Sequence, residues 1–159
     1  MTNRQAKNLN SSKFNYVTYI RTTPEQLWDA LIKPEFTKQY WFGSHHESDW
    51  KQGSSWKLIT PDGRNCDSGE VLEVKRPQRL VLKWRHELAP ELKAEGYSQA
   101  TMELEPIDET VKLTVTHEME SANSKFIAGC SNGWPIILSS LKSYLETGQS
   151  HKQSRKMPN

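Results

Sequence analysis

The reactive groups of this 159-residue chain are few: five histidines, two cysteines and a short mixed cluster, His45-His46-Glu47 with Asp49. His86 and His117 each close a run of alternating apolar residues and fall on its apolar parity. A neutral imidazole there is a polar handle for a ligand or, with its pKa tuned, a general base. Asp49 is the third candidate for acid–base work. No nucleophile or partner acid stands at a diagnostic spacing from either histidine, so satisfied histidines at strand ends are the plainer reading. His45 and His46 have the residue types of a metal site, but neighbours in an extended segment point to opposite faces and would not converge on one ion. Near a cavity mouth, His46 or Asp49 would instead meet the polar part of a ligand. Cys66 and Cys130 are isolated and form neither a disulfide framework nor a zinc site, so both are expected to stay reduced, Cys130 as a small hydrophobe. Gly69, Gly129 and Gly133 fit no phosphate-cradling motif, so ATP hydrolysis is not expected. The expectation is no metal and no cofactor.

The stronger chemical signal is aromatic. Trp28, Phe36, Tyr40, Trp41, Trp56, Trp84 and Trp134 offer large apolar contact areas with an N–H or O–H at the edge of most rings. With Leu82, Met102, Val115, His117, Ile137 and Leu141 they form the candidate lining of a ligand cavity; the alternative is ordinary core packing. Trp84 and Trp134 sit on elements that should face each other, so they either fill the space between or wall it, and walls are expected.

The elements that must position these residues follow from period and punctuation. Phe14 to Arg21 is rich in aromatic and β-branched residues and reads as a first strand. Thr23-Pro24-Glu25-Gln26 combines an N-cap, a proline at the first helical position and a glutamine three residues after the cap, which opens a short helix. Pro34 ends it and opens a second, to Trp41, in which Phe36 and Tyr40 share a face as an aromatic lid. From Ser44 to Glu118, turns at Gly53, Pro61-Asp62-Gly63, Gly69, Pro77, Ala89–Gly96 and Pro106–Glu109 mark a meander of six candidate strands. Its last three alternate clearly: Leu80, Leu82, Trp84 and His86; Ala100, Met102 and Leu104; Val111, Leu113, Val115 and His117. One face of an antiparallel sheet is therefore apolar and the other wet. The cover is a long carboxy-terminal helix carrying Phe126, Cys130, Trp134, Ile137, Leu141 and Leu145 at intervals of three and four. Asn132 can cap it with Pro135 in its first turn, Ser124 and Ser131 leave open a short separate helix before it, and Gly148 stops it. This is an α+β layout.

Composition narrows the classes. Hydrophobic residues make up 35% and charged residues 25%, which is globular, and no apolar run reaches the ~18 residues of a membrane span. The formal charge is +2, but the two tails hold six of the 21 bases and no acid, leaving 15 bases against 19 acids between them. Basic character therefore belongs to the tails, which argues against a nucleic-acid surface. The expected organisation is a disordered tail over 1–13, one domain over 14–148 and a basic disordered tail over 149–159, in a cytoplasmic protein with no nucleic-acid or membrane partner.

Three stretches carry a resemblance: TTPEQLWDALIKPEFTKQYW at the first strand-to-helix turn, GEVLEVKRPQRLVLKW in the central hairpin and GWPIILSSLKSYLETG at the end. Together they resemble the SRPBCC (START-like, Bet v 1-like) proteins of the type named activator of heat-shock protein 90 ATPase homologue 1-like. The resemblance implies a helix-grip fold: a curved antiparallel sheet of six or seven strands around the long helix, with two short helices after the first strand. It also implies a cavity between sheet and helix. Three functions are open: a small apolar or aromatic ligand held in that cavity, a chaperone or other protein partner in stress physiology, or a cofactor-free enzyme using His117, His86 or Asp49. The eukaryotic cochaperones resembled carry a further amino-terminal domain that makes much of the chaperone contact.

Overall fold

Alternating apolar and polar side chains pair into a single antiparallel sheet in the computed structural model, which describes residues 11–158. The strands are β1 (Ser12–Arg21), β2 (His45–Ser48), β3 (Ser55–Ile59), β4 (Asn65–Lys75), β5 (Arg79–His86), β6 (Ser98–Ile107) and β7 (Thr110–Met119). Their order is β1-β7-β6-β5-β4-β3-β2, so the meander runs unbroken from β2 to β7 and β1 closes on its far side. The helices are α1 (Pro24–Ile32), α2 (Pro34–Tyr40), the one-turn α3 (Pro90–Lys93) and the long α4 (Lys125–Thr147). The α+β expectation holds, with seven strands. Within β7 every second residue from Val111 to Met119 is buried, which is the alternation read from the sequence.

Local chemistry sets the helix ends. The Thr23 hydroxyl accepts from the Gln26 amide with Pro24 at the first helical position, as the sequence indicates. The long helix differs from expectation. It is not capped at Asn132 but eight residues earlier, as one continuous helix capped by Ser124, whose hydroxyl accepts from the Ile127 amide at 3.0 Å. Pro135 therefore lies inside it. The start is fixed from a distance: the Lys125 amide donates to Glu95 Oε2 at 3.1 Å, placing a carboxylate from the α3–β6 connection at the positive end of the helix. Glu95→Ala should lower stability by about 1 kcal/mol, read from the urea midpoint; an unchanged midpoint would show that Ser124 alone suffices.

Two tail expectations meet the structure differently. Residues 1–10 lie outside the described residues, and Ser12 and Lys13 already belong to β1. The carboxy-terminal segment after Gly148 is folded onto the domain rather than disordered. It makes a 3₁₀ turn over Lys152–Ser154, buries Ser154 completely, and accepts the Phe42 amide on the Ser154 carbonyl at 2.6 Å. The His151 amide donates to Ser140 Oγ on α4 at 2.8 Å, and Arg155 folds back onto Ser150. Serine hydroxyls and backbone groups make this attachment, so no apolar pattern announced it.

The long helix packs most closely on β1 and β7, over one half of the sheet. Over the other half, above β4 and β5, the helix and sheet stand apart.

Candidate functional site

A cavity of about 300 Å³ occupies that gap. Its sheet side is Leu58 from β3, Cys66 and Asp67 from β4, and Trp84 and His86 from β5; its helix side is Phe126, Cys130, Gly133, Trp134 and Ile137 from α4. Trp41 and Phe42, just after α2, close one rim with Met157 and Pro158 of the carboxy-terminal segment.

Three indoles make the deepest corner. Trp41 meets Trp134 edge to face at 5.1 Å between centroids, Trp84 lies 5.9 Å from Trp134, and Trp41 and Trp84 stack at 6.3 Å. Such offset and edge contacts are the arrangements that ring quadrupoles favour. Behind this corner Trp134 Nε1 donates to His117 Nδ1 at 3.1 Å, and His117 Nε2 lies 2.8 Å from Ser98 Oγ, which donates to the Trp84 carbonyl at 2.9 Å. Since Nδ1 accepts, Nε2 carries the proton and donates to Ser98. The relay ties a wall on the helix to a wall on the sheet through a neutral imidazole. Burial pushes the His117 pKa down to about 3. A second pair repeats the device: Trp56 Nε1 donates to His46 Nδ1 at 2.9 Å, and burial, with His45 nearby, lowers His46 to about 3.

Of the thirteen residues proposed from sequence as a lining, the structure brings Trp41, Trp84, Trp134 and Ile137 to the cavity. Trp28, Tyr40, Trp56, Leu82, Met102, Val115 and Leu141 are buried in the core instead. Tyr40 spends its hydroxyl on the Ala30 carbonyl at 2.6 Å, and Phe36 packs against Tyr144 of α4. Of the lid, only Trp41 and Phe42, just after α2, therefore reach the site. His117 is a correction to the acid–base reading: fully buried, both ring nitrogens engaged, it stands behind the wall rather than in it. Asp49 is exposed after β2 and away from the cavity. His45 pairs with Glu47 at 3.1 Å on the outside while His46 points inward, so those two imidazoles do diverge.

His86 does line the cavity, and it has the partner acid that spacing did not reveal: Nδ1 lies 2.9 Å from Asp67 Oδ1. Cys66 is beside them. Its thiol is pushed up to about 12, first by burial and then by the Asp67 charge; burial also raises the Cys130 thiol. Both thiols are free and protonated, so neither is an activated nucleophile. The Trp84 indole N–H is fully buried, with no hydrogen-bond partner among the described residues. The glycines missed as lining have a plain role. Gly129 and Gly133 are one helical turn apart, and a Cβ added to either meets nothing within 4 Å. Small residues on this stretch of α4 are what leave the space.

The family model described as Activator of Hsp90 ATPase homolog 1-like protein matches residues 21–146. The chain belongs to the AHSA1 family. Among curated proteins no sequence match is found. Among solved structures, this AHSA1 chain resembles CalU16 from Micromonospora echinospora, with TM-score 0.70 and 17% identity over 91% of this chain and 80% of that one. It resembles the Aha1 dimer from Colwellia psychrerythraea with TM-score 0.67 and 20% identity over 87% and 99% of the two chains. It also resembles an Hsp90 activator from Plasmodium falciparum with TM-score 0.68 and 26% identity, covering 84% of this chain and 96% of that one. The seven-stranded sheet around a long terminal helix is thus the helix-grip fold of the AHSA1 family. Among the described residues, no helix is long and apolar enough to cross a membrane.

Proposed function

We propose that this AHSA1 domain binds a small, flat, largely apolar molecule between α4 and the β4–β5 half of the sheet. The observation that carries this reading is the space itself: about 300 Å³ left open among three tryptophans. A dry cavity of roughly 150 Å³ takes up benzene, so about twice that volume suits one or two rings. The reading therefore specifies a small aromatic body.

The test is titration with 2-naphthol, followed by tryptophan fluorescence and native mass spectrometry. One equivalent should bind to wild type. Gly133→Leu directs a side chain into open space and removes a mid-helix glycine, so stability should rise by up to about 1 kcal/mol while binding is lost. Absence of uptake by wild type, or full uptake by the leucine variant, would overturn the reading.

A second reading is favoured by one observation, the similarity to a chain described as an Hsp90 activator over 96% of its length. On this reading the domain stimulates a chaperone ATPase through a protein interface. Saturating amounts should raise chaperone turnover; an unchanged rate removes this reading.

A further inference from the structure

We infer that Cys66, Asp67 and His86 form a binding site for one divalent transition-metal ion of zinc type at the polar end of the cavity. One ligand atom from each lies within 4.8 Å of the others, and the His86–Asp67 edge is already 2.9 Å. Tetrahedral bonds of about 2.0 Å to nitrogen and oxygen and about 2.3 Å to sulfur place ligand atoms roughly 3.3–3.6 Å apart, so small side-chain rotations close the tripod. A thiolate, an imidazole and a carboxylate together suit zinc, not the hard cations that take oxygen alone.

The backbone is shaped for this convergence. Cys66 and Asp67 are sequence neighbours on one strand and in a regular strand would face opposite ways. Pairing of β4 with β3 passes from Leu58 opposite Asp67 directly to Ile59 opposite Asn65, which makes Cys66 the extra residue of a β-bulge. A bulge re-aims a side chain, and here both Cys66 and Asp67 line the same cavity as His86 on the adjacent strand. Pairing of Asp67 with His86 across β4 and β5 completes the triangle.

In the metal-free protein His86 Nδ1–H donates to the Asp67 carboxylate. Metal uptake moves that proton to Nε2, frees the Nδ1 lone pair, and releases the Cys66 thiol proton to solvent, so one proton leaves for each metal bound. With three protein ligands, the fourth position is open towards the cavity, the arrangement of a site that takes water or a ligand donor atom. Metal uptake requires no occupant in the apolar part, so this inference and the aromatic-ligand reading fail or stand separately.

The experiment is cobalt(II) titration of reduced, chelator-treated, untagged protein, followed by zinc competition. One equivalent should give a thiolate-to-cobalt charge-transfer band with visible bands of four-coordinate intensity, and zinc should bleach both. Cys66→Ser, isosteric with the native residue, should abolish the charge-transfer band. His86→Gln should weaken uptake at least by the roughly 10–100-fold that loss of a supporting group alone costs. His45→Ala, removing the exposed His45–Glu47 pair, should change neither, and circular dichroism should report the native fold in all three variants. No thiolate band in wild type, a band that persists in Cys66→Ser, or uptake abolished by His45→Ala overturns the assignment.

Discussion

Taking the protein from about pH 7 to about pH 4.5 is expected to remove about 5 kcal/mol of folding stability, through two buried histidines. His46 and His117 have folded pKa values near 3 because burial disfavours their charged forms, and each accepts an indole N–H on Nδ1. The unfolded chain takes up protons near pH 6.5 that the folded chain refuses, so the unfolded state binds more protons and stability rises with pH. It is level above about pH 6.5 and falls by roughly 3 kcal/mol per unit between there and about pH 3. Glu87 adds to the loss at the acid end. Against a desolvation cost, hydrogen bonds from Arg85, Ser68 and Lys93 lower it to about 2, so its contribution fades as the pH falls from 4.5 towards 2. Urea unfolding at a series of pH values measures the slope, and His117→Gln should reduce it from two protons to one. Stability independent of pH between 7 and 5 would contradict the burial of both rings.

Gly69→Ala is expected to be the most damaging single methyl in the protein, lowering stability by at least about 3 kcal/mol or preventing folding. A Cβ at Gly69 would stand 1.7 Å from the Lys83 carbonyl oxygen and 2.5 Å from its carbon, both backbone atoms of the adjacent strand. Backbone cannot swing aside as a side-chain end can. The register shows why the position is bare: Gly69 is opposite Trp56 on one side and Trp84 on the other, and the two indoles approach to 4.3 Å between centroids. Close approach of β4 and β5 at this point sets Trp84 where it walls the cavity. Circular dichroism and expression in soluble form check the prediction; a variant with a native unfolding midpoint would refute it. Gly53 and Gly63, where a Cβ meets nothing within 4 Å, serve as contrasts in contact, although their positive φ penalises alanine separately.

The parts of this fold that follow short-range rules were legible in the sequence. The Thr23-Pro24 start, the Pro61-Asp62-Gly63 turn, the alternation of β5 to β7 and the stripe on α4 all rest on residues within a few positions of one another. What was not legible depends on distant partners. Glu95 fixes the start of α4 from thirty residues upstream, so Asn132 looked like the cap. The bulge at Cys66 exists only through pairing with β3, so nothing local brought Cys66 and Asp67 to one side. Asp67 became the partner of His86 only when β4 met β5. The lining was partly misassigned for a related reason: parity shows that Leu82, Trp84 and His86 share a face, but not that the helix rests on one end of that face and stands off the other. Gly129 and Gly133 carried the missing signal, as small residues on a helix that otherwise presents bulk.

The closing position of β1 bears on how the protein is made. Ser12 pairs with Met119 and Arg21 with Thr110, so β1 leaves the ribosome well before the strand it pairs with. At roughly 5–20 residues per second, about a hundred residues of synthesis leave β1 waiting for on the order of 5–20 s. Through that interval a strand bearing Phe14, Tyr16, Val17, Tyr19 and Ile20 stays unpaired, a template for association with other chains. Slow codons or a nascent-chain holdase acting on this window would alter the soluble yield without touching the native state.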